Sequence, residues 1–261
     1  MTKYVAIISA KGGVGKTAIT INLTQALVGF GRQAIAVDAD LTAPNVSVQL
    51  GMPQLHCTLH DVLNGKGTVQ DCIYNHPSGI PVIGGRLAYE LSDEVNYQKL
   101  VNLFSGLENM VEIVLIDAPP GMGNDARTVL QAVDSVIVIT TPELPSVTDS
   151  RKTIKLAREL GKEVIGVVLN EVRNEQYEMT KDNVEAFLDT KVIAVVPDDP
   201  AVRVAIYKNY PVVSTHPDSM AAVAIKKLAA GLIGERYEAK APEPDVKTVR
   251  EKILEHLGLN E

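Results

Sequence analysis

The chain has 261 residues, 46% of them apolar, enough to bury a large core in one α/β domain, although length alone also admits two. Its 25 Lys and Arg against 32 Asp and Glu leave a formal charge of −7, which argues against wholesale attraction to nucleic acid or anionic lipid but not against a local basic patch. The two cysteines, Cys57 and Cys72, stand in no metal-like spacing and read as ordinary, partly buried thiols of a reducing cytoplasm.

Met1-Thr2-Lys3 leads straight into the first expected strand with no signal-peptide architecture, and no apolar run approaches the roughly 18 residues that span a bilayer, so the chain is expected to be soluble or peripherally attached. The apolar run Tyr4 to Ile8 reads as a strand, Ser9 to Thr17 as a glycine-rich loop, and Ile19 to Phe30 as a helix ended by Gly31. Gln33 to Val37 is a second strand that delivers Asp38-Ala39-Asp40 to its C-terminal end, where open α/β sheets bind ligands. A loop from Leu41 to Asn45, a short helix from Val46 to Leu50 closed by Gly51, a helix from Thr58 to Leu63, a turn at Asn64 to Gly67 and a short strand from Gly79 to Ile83 follow.

Tyr97 to Leu107 has helical spacing, and Val111 to Ile116 is an aliphatic strand running into Asp117-Ala118-Pro119-Pro120-Gly121. Strands at Ser135 to Thr140, Val164 to Leu169 and Val192 to Val196 then alternate with helices at Val147 to Leu160 and around Val184 to Leu188, and shorter helices are expected at Ala201 to Tyr207 and Ser219 to Ile233. Continuously apolar strands in βα alternation predict a doubly wound, mostly parallel sheet with helices on both faces. The expected organisation is one domain over 1–236, a proline-bearing linker over 237–244, and a C-terminal amphipathic helix over 245–261 whose stripe is Val246, Val249, Ile253, Leu254 and Leu257.

The loop carries the chemistry. The general phosphate-loop pattern asks for Gly where Ala10 stands, so the match is to a variant, Lys11-Gly12-Gly13-Val14-Gly15-Lys16-Thr17. Gly12, Gly13 and Gly15 let backbone N–H groups approach phosphate oxygens where any Cβ would intrude, and Val14 and Ala18 complete the stretch expected against the nucleotide. Lys16 is expected at the β and γ phosphates, and Thr17 offers a hydroxyl to Mg²⁺. Lys11 is not needed to cradle phosphate from within one subunit.

At Lys11 the sequence resembles the deviant Walker A ATPases, the family that includes MinD, ParA, the nitrogenase iron protein and the arsenite-pump ATPase. The resemblance covers about residues 3 to 235, and Thr141 to Asp149 together with Val196 to Val202 look most like the MinD branch, its archaeal members in particular. It implies a P-loop NTPase fold, ATP and Mg²⁺ as cofactors, and an ATP-dependent homodimer in which Lys11 reaches the partner's phosphates. It further implies that Asp38 and Asp40 form a first switch, Asp40 positioning the attacking water and Asp38 joining the magnesium shell or the reverse, that Asp117 holds Mg²⁺ through water, and that Gly121 senses the γ-phosphate. Asn170 is implied to read the adenine edge, with Pro197 and Asp198 packing beside the base; a structural cap fits Asn170 as well.

The function expected on this footing is a Mg-ATP-driven dimer that hydrolyses ATP and positions other proteins, such as division or polar machinery. The tail departs from the branch: three basic residues, Lys247, Arg250 and Lys252, are balanced by Asp245, Glu251 and Glu255, with no aromatic, so membrane contact and a protein partner both stay open. A ParA-like DNA-partitioning ATPase is disfavoured by the net charge, and an iron-sulfur carrier by the fifteen-residue spacing of the cysteines. A small-molecule ligase on the same scaffold would not need Lys11, and a nucleotide-binding module without turnover is the remaining alternative.

Overall fold

A computed structural model describes residues 1–87 and 99–239. The expected helix over 245–261 and most of the linker before it lie outside the described residues. In chain order the elements are β1 (Lys3–Ile8), α1 (Lys16–Gly29), β2 (Ala34–Asp38), α2 (Val46–Gln49), α3 (Leu59–Leu63), β3 (Tyr74–Asn75), β4 (Pro81–Ile83), α4 (Leu100–Ser105) and β5 (Ile113–Asp117). They continue with α5 (Asn124–Gln131), β6 (Ser135–Thr140), α6 (Leu144–Glu159), β7 (Glu163–Val172), α7 (Lys181–Leu188), β8 (Val192–Pro197), α8 (Pro200–Tyr207), α9 (Val212–Thr215) and α10 (Met220–Leu232).

One eight-stranded sheet runs β3-β4-β2-β5-β1-β6-β7-β8, parallel except for the antiparallel β3–β4 edge. Period-two alternation sends the strand side chains to opposite faces of the sheet, where they join three clusters of buried residues, the smallest holding Ala36 of β2 and Val82 of β4. Tyr4, Ala6 and Ile8 of β1 pack with α4, α5, α6 and α7 residues such as Phe104, Val129, Ile154 and Leu188. Val5 and Ile7 pack instead with Leu23 and Leu27 of α1 and with Ile225 and Leu228 of α10. Helices thus cover both faces, which is why β1, β2 and β6 are aliphatic along almost their whole length.

β1 lies between β5 and β6, so the chain passes to opposite sides of it before and after β5. That reversal opens a crevice at the C-terminal strand ends, and the loop after β1 falls in it. Among the described residues no helix is long and apolar enough to cross a membrane.

The expected strands and most helices stand where their patterns put them; α5, α9 and the β3 edge were not anticipated. α5 buries only Ala126, Thr128, Val129 and Leu130, too short a stripe to stand out beside the Pro-Gly loop before it. The two cysteines also differ from expectation. Cys57 and Cys72 are disulfide bonded, because the backbone before α3 and the 3₁₀ turn Gln70–Cys72 fold against each other, with Cys57 N–H donating to Tyr74 Oη at 2.7 Å.

Asp199, 8% exposed, ties two helices together. Its Oδ1 accepts from Ala201 N at 2.9 Å as the cap of α8, and its Oδ2 from Ala221 N at 3.0 Å in α10. Burial works against the charged form, yet these amides hold the carboxyl below the usual range. Asp199→Ala orphans both N–H groups and should lower unfolding stability by about 2 kcal/mol in urea titrations at neutral pH. Since the folded carboxyl is held low, that contribution is complete above the unfolded pKa and fades with acid, so the gap from the native chain should narrow between about pH 5 and about pH 3.

Candidate nucleotide site

The loop after β1 is fixed before anything binds. Ser9 Oγ donates to the Lys11 carbonyl at 2.6 Å, Gly121 N–H to the Ser9 carbonyl at 2.9 Å, and Ile19 N–H to the Gly15 carbonyl at 2.9 Å as α1 begins. Gly13 and Gly15 have φ of +79° and +85°, left-handed values that a side chain resists. At Gly15 there is also no room: a Cβ would overlap the Asn170 amide. Together with the N-terminus of the 14-residue α1, the loop forms an anion cradle on one wall of a cavity of about 590 Å³. Lys16 and Thr17 open α1 on that wall, Lys16 buried at 8% exposure, and Gly12, Gly13 and Ala18 also line it.

Three carboxylates meet below the cradle because β2 and β5 are in register, Asp38 opposite Asp117. Thr17 Oγ1 donates to Asp117 Oδ2 at 2.6 Å, while Asp117 Oδ1 is buried with no hydrogen-bond partner. Burial pushes the Asp117 carboxyl up to about 6, with Asp40 adding to the rise, against the pull of Lys16 and Thr17. Asp38 is fully buried and raised well above the usual range by burial and then by Asp117, even though it accepts backbone N–H groups from Asn45 and Val46, each at 2.8 Å, and from Asp40 at 3.2 Å. Its carboxylate thereby shapes the loop Asp40 to Asn45. Asp40 lines the cavity, its Oδ1 accepting from Thr42 Oγ1 at 3.0 Å and Ala43 N–H at 3.1 Å.

The orphaned Asp117 oxygen beside the Thr17 hydroxyl supplies oxygen donors of the kind a hard divalent cation takes together with phosphate and water, and the glycine cradle suits phosphate; among the described residues no three carboxylate, histidine or cysteine side chains are grouped to hold a metal by themselves. The residues present therefore fit Mg²⁺ and a nucleoside triphosphate.

Asn170, two residues before the end of β7, donates Nδ2 to the Val14 carbonyl at 2.9 Å and so clamps the phosphate loop to that strand. Pro197 ends β8 and Asp198 follows it, and both Asp198 oxygens are held, Oδ2 by Arg173 Nε at 2.8 Å and Oδ1 by an Arg203 guanidinium nitrogen at 2.9 Å. Glu171 borders the cavity with φ +58°, unusual for a residue with a side chain, its carboxyl raised by burial and then by Asp198. Glu171, Arg173, Arg203, Asn22 and Ile206 line the site without having been singled out from sequence. Arg173, three residues after Asn170, was the one with a positional signal. Of the expected site residues, Val14, Asp38 and Asp117 lie behind the cavity lining, and Lys11 also lies outside it, its ammonium 3.1 Å from Asp149 Oδ2 on α6.

The profile of the CobQ/CobB/MinD/ParA nucleotide binding domain matches residues 5–212. An uncharacterised ATP-binding protein of Methanocaldococcus jannaschii is 39% identical over 240 residues, covering 92% of this chain and 91% of that protein. Among solved structures, the cell division ATPase MinD of Pyrococcus furiosus superposes with a TM-score of 0.85 at 33% identity, over 90% of this chain and 99% of that one. The septum site-determining protein MinD of Pyrococcus horikoshii, complexed with Mg-ADP, gives 0.85 at 32% identity, over 89% and 96%.

Gly15→Ala should weaken Mg-ATP binding by about one to two orders of magnitude in calorimetric titrations, the cost of left-handed strain and of displacing Asn170.

Proposed function

Because the chain belongs to the CobQ/CobB/MinD/ParA nucleotide-binding family and is an ATPase acting on Mg-ATP, we propose that it works as a switch: two copies close around ATP, engage other proteins or a surface, and separate after hydrolysis. The observation that carries this reading is the placement of Lys11. A cation at the head of the loop, turned out of its own cavity and onto the surface, is available to a second copy rather than to its own phosphates.

In this reading each site is composite. Lys16 and the loop N–H groups stabilise charge on the transferred phosphoryl oxygens, with α1 adding the positive end of its dipole. Thr17 and Asp117 would hold the magnesium ion, which would supply positive charge to the triphosphate. Asp40, bordering the cavity, positions the attacking water and accepts its proton; Asp38 keeps the Asp40–Asn45 loop in place from behind. Asn170 offers its carbonyl oxygen toward the base while its amide holds Val14. Lys11 from the partner completes the charge stabilisation, so turnover requires association and product release dissolves it.

The positioning role follows the MinD branch, whose Pyrococcus members are the neighbours reported above. The stretch 245–261, whose sequence pattern is that of an amphipathic helix, is the proposed contact with a membrane surface or a protein, reversible because a stripe of five apolar residues would bury little area and only a dimer would present it twice.

Lys11→Ala should abolish ATP-dependent dimerisation in sedimentation velocity runs while Mg-ATP affinity stays within about two-fold, because loop geometry is set by backbone contacts. Unchanged dimerisation would remove the composite site. For the tail, Ile253→Glu with Leu254→Glu should eliminate ATP-dependent pelleting with anionic liposomes. Absence of pelleting by the native chain in ATP and ADP alike would direct the tail to a protein, and salt-sensitive DNA binding in ATP would instead support a partitioning role.

A further inference from the structure

The loop that carries Asp40 is braced from two sides. Asp38 accepts the N–H groups of Asp40, Asn45 and Val46, and from the other side His60 Nε2 lies 2.9 Å from the Leu41 carbonyl, one residue after Asp40. The second ring nitrogen, Nδ1, accepts the Arg86 N–H at 3.0 Å. A carbonyl only accepts and an amide N–H only donates, so these partners fix the ring as the neutral tautomer with its proton on Nε2. His60 is 2% exposed, and burial lowers its pKa, which keeps it neutral. It does not line the nucleotide cavity, so its side chain acts on the site through the loop alone.

His60 is the second residue of α3, and the start of α3 is tied down by the Cys57–Cys72 bond. Cys57 stands directly before Thr58, whose backbone N–H and hydroxyl both donate to Asp61 Oδ2, at 2.9 and 2.6 Å, and so cap the helix. Cys72 ends the 3₁₀ turn and lies in the core with Leu59 and Leu63 of α3.

We infer that His60 is a positioning residue for Asp40 and that the Cys57–Cys72 bond sets how firmly it is held, so that ATP turnover depends on the redox state of this cysteine pair. The inference rests on the reading of Asp40 as the group that positions the attacking water. Reduction is a thiol–disulfide exchange with a dithiol, and Cys57, half-buried where Cys72 is fully buried, is the reachable sulfur. One thiolate of the dithiol attacks Cys57 Sγ, the bond to Cys72 breaks, and Cys72 leaves as a thiolate that takes up a proton. The second thiol of the reagent then displaces Cys57, which is protonated in turn. Two electrons pass to the protein's sulfurs, and the reagent leaves as a disulfide. Leu59 and Leu63 keep α3 in the core, so what loosens is its first turn, and with it the hold of His60 on Leu41.

The test measures steady-state phosphate release by the full chain, oxidised or treated with dithiothreitol, alongside Mg-ATP affinity by calorimetry. Reduction should lower kcat by about 2- to 10-fold and leave affinity within about two-fold, since a cross-link over 15 residues is released outside the cavity. Cys57→Ser should turn over like the reduced native chain and be indifferent to the dithiol. His60→Leu, which keeps an apolar side chain in the core but has no donor, should lower kcat by about 10- to 100-fold with affinity retained, and should turn over alike in both redox states. His60→Gln again offers Leu41 an N–H and should recover most of that loss, whereas a packing role alone would favour Leu. An unchanged kcat in His60→Leu, with Asp40→Ala inactive, would overturn the positioning role of His60. A dithiol effect that persists in His60→Leu, or none in the native chain, would overturn the redox control. Native turnover by Asp40→Ala would overturn the reading of Asp40 itself.

Discussion

The constraint on which the structure turns is the burial of three carboxylates at one sheet edge. Asp38 and Asp117 are nearly inaccessible and face each other across adjacent strands, with Asp40 two residues on. Charges so placed are costly unless something positive lies among them. Within the chain the compensation is partial: Lys16, the Thr17 hydroxyl, the start of α1 and the amides of Asn45 and Val46. Asp117 Oδ1 remains bare, and burial still holds both carboxyls above their ordinary range. The residues that fit Mg²⁺ and the triphosphate join the loop after β1 to the loop after β2, since the Asp38 carboxyl beside Asp117 holds the Asp40 to Asn45 segment through its backbone N–H groups.

The other end of the cavity is built differently. Asn170 joins β7 to the phosphate loop with a single hydrogen bond, and Asp198 is paired with Arg173 and Arg203. Lys11 belongs to neither part. Its ammonium lies at the surface against α6, 3.1 Å from Asp149 Oδ2.

Much of this was legible in the sequence because it depends on local order. Aliphatic runs ending in aspartate, Gln33 to Asp38 and Val111 to Asp117, mark parallel strands and place carboxylates at their exits. The run Lys11 to Thr17 encodes its own loop conformation, since Gly13 and Gly15 occupy the left-handed positions. What could not be read depends on contacts between distant segments. The register that sets Asp38 against Asp117, the second use of Asn170 as a clamp and the pairing of Lys11 with Asp149 all join segments far apart in the chain. Glu171 adopts φ +58° because β7 has an irregular register with β8 there, which composition does not encode. The disulfide escaped for the same reason: fifteen residues of spacing say nothing about a turn that returns Cys72 to Cys57.

The central claim, that a catalytic site is shared between two copies, is tested most directly by mixing two inactive variants. Lys11→Ala retains Asp40, and Asp40→Ala retains Lys11; each alone should hydrolyse ATP at a small fraction of the native rate. A heterodimer of the two contains one site with Asp40 from the first chain and Lys11 from the second. Steady-state phosphate release should therefore reappear on mixing and pass through a maximum near equal proportions. If the mixture releases phosphate no faster than the sum of its components, Lys11 acts within its own subunit and the shared site is wrong.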